Sequence, residues 1–187
     1  ACIAGSRIFV QEGIYDEFLA KFTAIAKNLA AATGDPFVPG VQHGPQISQM
    51  QFDRVMSYIE SGKQDGATVH IGGARHGKEG YFIQPTIFTN TKPDMKIVRE
   101  EIFGPVGVVV KFKTEDEVIE AANNTTYGLA CHIFSQNISR ALRVAHSLEA
   151  GNAWVNSPRI ADKAVPFGGY KQSGIGRELG EYALETQ

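Results

Sequence analysis

Little in this sequence is of the kind that staples, anchors or strongly charges a protein. Its 187 residues hold only two cysteines, Cys2 and Cys131, too few for a disulfide framework and without the spacing of a zinc site. One disulfide at most points to a reducing compartment. No run of about 18 apolar residues occurs, so no helical membrane span is expected. Neither sign of charge is in excess: 18 Lys plus Arg stand against 20 Asp plus Glu, a net charge of −2. That balance argues against a nucleic-acid backbone or an anionic membrane as the main partner. The histidines, His43, His70, His76, His132 and His146, lack a ligand spacing such as HxxxH, and no metal is expected. The chain opens Ala1-Cys2-Ile3-Ala4 with neither an initiator Met nor a signal peptide, so truncation is the expectation. The sequons at Asn123, Asn124 and Asn137 then read as chance tripeptides.

What the chain does have is the material of an ordinary core. A hydrophobic share of 43% with 10% aromatics excludes a wholly disordered chain. A chain of this size buries about 70% of the surface its unfolded form exposes, and needs no staple to be stable. Glycine is the one excess, 20 residues of 187 against an average near ~7%. Many turns, or places of close backbone approach, are expected.

Residues 6–10 read as a strand. Tyr15, Phe18, Leu19, Phe22, Ile25, Ala26 and Leu29 then recur at helical spacing, forming one apolar stripe that should end near Gly34-Asp35-Pro36. A loop over 37–45 precedes a second helix carrying Phe52, Val55, Met56 and Ile59 and ending at Gly62 or Gly66. Residues 67–71 and 81–88 read as strands joined by a glycine-rich turn over 72–80. The apolar run over 106–112, broken only by Lys111, predicts a strand buried on both faces. Thr114-Glu115-Asp116-Glu117 is a capping box at a helix start. Further along, 129–135 and 152–156 are strands around a helix over 138–148, then a loop runs to Ser173 and a last helix is expected from Gly176. The alternation from Val106 onward predicts βαβ units, a parallel sheet and one α/β domain.

Chemistry-bearing residues are few. Cys2, followed by Ala4, Gly5, Ser6 and Arg7, becomes a useful nucleophile where a positive charge or helix N-terminus lowers its pKa; a cysteine near a terminus is otherwise inert. Cys131, inside an apolar strand, reads as a small buried hydrophobe. Glu100 and Glu101 are adjacent, so in extended chain they point apart and cannot share a proton as a dyad. One would face a pocket and the other solvent or a basic partner. Phe103-Gly104-Pro105 would make a rigid turn presenting an aromatic face beside that acid, as a structural turn or as a ligand platform. The segment 173–180 fails as a dinucleotide fingerprint, because its GxGxxxG spacing is one residue long and follows a loop. In Pro166-Phe167-Gly168-Gly169-Tyr170-Lys171 the paired glycines allow close approach to a ligand.

Taken in order, Cys2-Ile3-Ala4-Gly5-Ser6-Arg7-Ile8-Phe9-Val10, Gly80-Tyr81-Phe82-Ile83-Gln84-Pro85-Thr86, Glu100-Glu101-Ile102-Phe103-Gly104-Pro105, Asn123-Asn124-Thr125-Thr126-Tyr127-Gly128-Leu129, Trp154-Val155-Asn156 and the run from Pro166 to Glu178 closely resemble the NAD(P)-dependent aldehyde dehydrogenase family. The resemblance covers essentially the whole chain. It implies an α/β fold, a three-layer domain with a largely parallel sheet, in which residues 1–187 form the thiol-bearing catalytic domain. It implies oxidation of aldehydes to carboxylic acids with NAD or NADP, NAD being favoured, through a thiohemiacetal and thioester on Cys2. Cys2 matches the catalytic thiol, and its backbone amide an oxyanion donor. Glu101 matches the acid on the nicotinamide ribose, Phe103 the aromatic against the nicotinamide, and Gln51 a residue near the same ribose. Arg54 stands where a lysine is common. Phe167 matches an aromatic of the substrate tunnel and Asn156 a polar residue close to it.

The same resemblance implies a C-terminal catalytic-domain fragment, without the upstream coenzyme-binding domain and general-base glutamate or the C-terminal oligomerisation strand. On that expectation the isolated chain has little dehydrogenase activity, while the full-length enzyme is a cytoplasmic or mitochondrial-matrix homo-oligomer acting on a small-molecule aldehyde. Ala1 and Ile3 flank the thiol, and Arg159 and Ala161 fall in a region often acidic or aromatic, which bears on how aliphatic the substrate is. A non-enzymatic interaction fragment and a stand-alone cysteine hydrolase, which would need a histidine partner for Cys2, are the alternatives.

Overall fold

The computed structural model describes residues 1–157 and 162–184. They divide into two compact units, one formed by Ser6–Lys113 and the other by Ala1–Gly5 with the chain from Thr114 onward.

The first unit is built on a four-stranded sheet in the order β1-β4-β3-β2, with β1 Arg7–Gln11, β2 Thr68–Ile71, β3 Thr86–Thr89 and β4 Val106–Phe112. β4 runs parallel to both β1 and β3, whereas β2 is antiparallel to β3 with a register irregularity between Val69 and Ile71. Side chains alternate across a strand, and the two central strands show the consequence. Phe88 and Val108 enter one apolar cluster with Phe52, Val55 and Ile59 of α2 (Gln49–Gln64). Their neighbours Ile87 and Val109 enter a second cluster with Tyr15 and Ala26 of α1 (Tyr15–Ala31). Helix, sheet and helix therefore form three layers. The apolar run of β4, broken only by the exposed Lys111, is needed because both faces of the strand are covered. Ser48 caps α2, its hydroxyl accepting from the Gln51 amide at 3.2 Å. A short helix α3, Lys96–Arg99, precedes β4 and buries Ile97.

The second unit carries α4 (Glu115–Asn123), β5 (Ala130–Ile133), α5 (Ile138–Ser147) and β6 (Asn152–Val155). β5 and β6 pair in parallel through the α5 crossover, with His132 opposite Trp154. The capping box forms: Thr114 Oγ1 accepts from the Glu117 amide at 3.3 Å, and the Glu117 carboxylate accepts from the Thr114 amide at 3.4 Å. Glu115 on that first turn receives a bidentate pair from Arg143 of α5, at 2.7 and 2.8 Å. The guanidinium holds the Glu115 carboxyl below its usual range, though the exposed pair adds little stability.

Three expectations change. The strand expected over 81–88 starts only at Thr86, since Pro85 has no amide to give a ladder. β4 and β5 fall in different sheets; alternation fixes chain direction within a βαβ unit, not which strands become neighbours. Among the described residues no α-helix follows Gly176. Gly174, Leu179 and Gly180 have φ of 108°, 64° and 59°, so the segment turns, and Phe167 and Glu178 exchange backbone hydrogen bonds of 2.6 and 2.7 Å. Among the described residues a 3-10 turn at Glu181–Leu184 is the helix that follows. Positive φ at Gly174 and Gly180 is open to glycine at little cost and does not continue a helix.

Candidate active site

In the first unit the segment between α3 and β4 is a small projecting platform. Ile102 is 2% exposed and belongs to the core cluster of α2, which pins the residues on either side of it at the surface. Glu100 is taken up locally, accepting from the Tyr58 hydroxyl at 2.7 Å; burial, then that hydrogen bond, push the buried phenol above its usual range. Glu101 stands exposed, with no partner for its carboxylate among the described residues. Both acids are exposed, and they differ in that Glu100 accepts from the Tyr58 hydroxyl.

Phe103 follows with φ of 54° and its ring 54% exposed. A positive φ is uncommon for a bulky residue and costs about 1–3 kcal/mol. Two features hold it there. Gln51, in the first turn of α2, donates from Nε2 to the Phe103 carbonyl at 3.0 Å. Gly104 sits so close to α2 that a Cβ would lie 2.7 Å from both methyls of Val55, which is itself fully buried. Three residues singled out in the sequence, Gln51, Glu101 and Phe103, are therefore brought together. A presented carboxylate can accept hydrogen bonds, and an open aromatic face can lie against a flat ring.

In the second unit Cys2 is exposed and its thiol free. It lies in a turn closed by the Ala4 amide donating to the Ala1 carbonyl at 3.0 Å. His132 of β5 reaches this turn, its Nε2 lying 3.1 Å from the Ile3 carbonyl oxygen, and its ring stacks on Trp154 with centroids 5.0 Å apart. A carbonyl only accepts, so Nε2 carries the proton. Sequence spacing did not single out His132; the signal lies in the parallel register of β5 and β6, which spacing alone does not supply. Trp154 and Phe167 line one cleft of about 190 Å³ together with Val165, Leu179 and the polar Asn152 and Asp162. The Asn152 amide donates to the carbonyls of Leu129 and Gly168, at 2.9 and 2.7 Å, and so ties β6 to the Phe167 loop. Asn156, with φ of 51°, pairs both ends of its amide with the Ser135 backbone, at 2.9 and 2.8 Å. Arg159 and Ala161 lie outside the described residues. Cys131 is half-buried, and burial pushes its thiol up to about 11.

A family model described as the aldehyde dehydrogenase family matches residues 1–187. The chain belongs to that family. An aldehyde dehydrogenase of Agaricus bisporus is 67% identical over 186 residues, a match covering 100% of this chain and 37% of the relative. The NAD+ complex of an aldehyde dehydrogenase from Bacillus cereus superposes with a TM-score of 0.96 at 48% identity, covering 100% of this chain and 38% of that one. Betaine aldehyde dehydrogenase of Staphylococcus aureus, in complex with NAD+, gives 0.94 at 43% identity over 99% of this chain and 37% of its own. The chain spans about 37% of the length of the curated relatives it matches. The mixed α/β fold with its mostly parallel sheet is that of aldehyde dehydrogenase structures.

Proposed function

We propose that the protein carrying this chain oxidises aldehydes to carboxylic acids with NAD, and that Cys2 is the nucleophile. The observation that carries the reading is the Gln51-held Phe103 beside the free Glu101 carboxylate, in a chain whose family membership is plain. In this reading Cys2 Sγ, as thiolate, forms a bond to the carbonyl carbon, and the carbonyl electron pair moves to oxygen. The Cys2 backbone amide donates to that oxyanion. Bound NAD supplies the acceptor for the hydride lost from the substrate carbon. Sγ then holds the acyl group as a thioester; water adds, the C–S bond breaks, and the carboxylate leaves with return of the thiolate.

Glu101 would accept from the ribose hydroxyls and Phe103 would lie against the nicotinamide, with Gln51 fixing the Phe103 carbonyl. Phe167 would form an apolar wall for the aldehyde, and Asn156 would hold the end of β6 near it. NAD over NADP is supported by the NAD+ named for solved relatives. Exposed Phe134, Ile138 and Leu142 support self-association of the whole protein, and the free cysteines support a reducing compartment such as the cytoplasm. A hydrolase reading loses support from His132, which is committed to the Ile3 carbonyl.

The test is stoichiometry. The full-length protein mixed with a short aliphatic aldehyde is expected to form one NADH and one carboxylate per aldehyde consumed, with kcat/KM about tenfold or more higher for NAD than for NADP, a gap of at least ~1.4 kcal/mol. Carboxylate formed without NADH would replace the dehydrogenase reading with a hydrolytic or dismuting one.

A further inference from the structure

We infer that His132 is a positioning residue for the Cys2 thiol, an inference that rests on Cys2 being the nucleophile. The thiol is exposed in a turn, so the path of the backbone sets where it is presented, and the backbone of 1–4 is held at two points. One is local, the 3.0 Å bond from the Ala4 amide to the Ala1 carbonyl. The other ties the turn to the sheet, the 3.1 Å contact of His132 Nε2 with the Ile3 carbonyl, 129 residues away in sequence.

The origin of that contact can be followed from the strand register. Parallel pairing sets His132 opposite Trp154, and residues so paired project from the same face of the sheet. Their rings stack with an interplanar angle of 15°, which fixes the plane of the imidazole and so the line of its Nε2–H. With that proton given to Ile3, Nε2 has no lone pair to take a proton from the thiol. Through Nε2, His132 therefore acts on the Ile3–Ala4 peptide of the turn that carries Cys2, and not as a base. Holding that peptide keeps Sγ and the Cys2 amide, the two groups the substrate carbonyl must meet, in one geometry.

The experiment uses the full-length protein with His132→Phe, which retains a ring on Trp154 but no donor, and His132→Gln, which retains a donor. His132→Phe is expected to lower kcat about tenfold, since misplacing a reacting group by 1 Å costs up to ~100-fold. The KM for NAD and the rate of Cys2 alkylation by iodoacetamide should stay within about threefold, because the coenzyme platform and the thiol itself are untouched. His132→Gln should recover kcat to within about threefold of wild type. Unchanged kcat in His132→Phe, or equal loss in both variants, overturns the inference. If His132→Phe does not fold, His132→Leu replaces it, and Gln must then exceed Leu by about fivefold, the worth of one net hydrogen bond; equality overturns it. Cys2→Ala separates the two readings: an active Cys2→Ala enzyme removes the nucleophile on which the inference rests, whereas an inactive one with unaffected His132→Phe overturns the positioning role alone.

Discussion

Replacing Cys2 by alanine is expected to lower kcat for aldehyde oxidation in the full-length protein by at least about 10³-fold, because the covalent route disappears with its nucleophile. The other cysteine cannot take over. Cys131 is half-buried in β5, and with its thiol pushed up to about 11 only about 10⁻³ of it is thiolate at pH 8. Stability should hold, since Cys2 is exposed in a turn and surface substitutions usually cost within about 0.5 kcal/mol. An unchanged thermal midpoint beside lost turnover would then report chemistry and not folding. NAD affinity should remain within about threefold, as the thiol adds no ground-state contact to the coenzyme. Cys2→Ser is expected to be nearly as inactive, since an alcohol forms almost no alkoxide near neutral pH. Steady-state NADH formation with a melting curve for each variant checks this; activity above about a tenth of wild type in Cys2→Ala would contradict it.

Glu101→Ala should raise the KM for NAD by about 10- to 100-fold, the loss of charge-assisted hydrogen bonds worth roughly 1.5–3 kcal/mol each. Its control is the neighbouring acid. Glu100 already accepts from Tyr58 at 2.7 Å, and Glu100→Gln keeps an oxygen for that buried phenol, so its KM for NAD should move by less than about twofold. Glu101→Gln, which keeps an acceptor without the charge, should fall between. Because Glu101 is exposed and Ile102 carries the packing, none of these changes should alter the melting temperature appreciably. KM for NAD measured at saturating aldehyde distinguishes the outcomes. An unchanged KM in Glu101→Ala would remove the ribose role, while a raised KM in Glu100→Gln would exchange the two acids.

Much of the fold was legible because it is written locally. The apolar run of β4, the stripe of α1 and the Thr114 capping box each need only a window of a few residues, and each appears where expected. Contacts across the chain were not. Gln51 meets Phe103 over a separation of 52 residues, and only the packing of α2 against the segment before β4 brings them together. His132 meets Ile3 because β5 and β6 pair in parallel in one register, and a single-residue slip would turn its ring to the other face. The helix expected after Gly176 shows the converse: a local helix start does not propagate where Leu179 and Gly180 take positive φ. The resemblance to aldehyde dehydrogenases supplied the proposed site residues where local patterns stopped, because six ordered segments are matched at once.

The central claim is that the substrate's acyl group passes through Cys2. Acid-quenching the full-length enzyme during turnover with a short aliphatic aldehyde and NAD, then mapping peptides by mass spectrometry, tests it directly. The account predicts a peptide containing Cys2 heavier by the acyl group, appearing only when aldehyde and NAD are both present and absent from Cys2→Ser. Full turnover with unmodified Cys2 at every quench time, or with the acyl group on Cys131 instead, would contradict it.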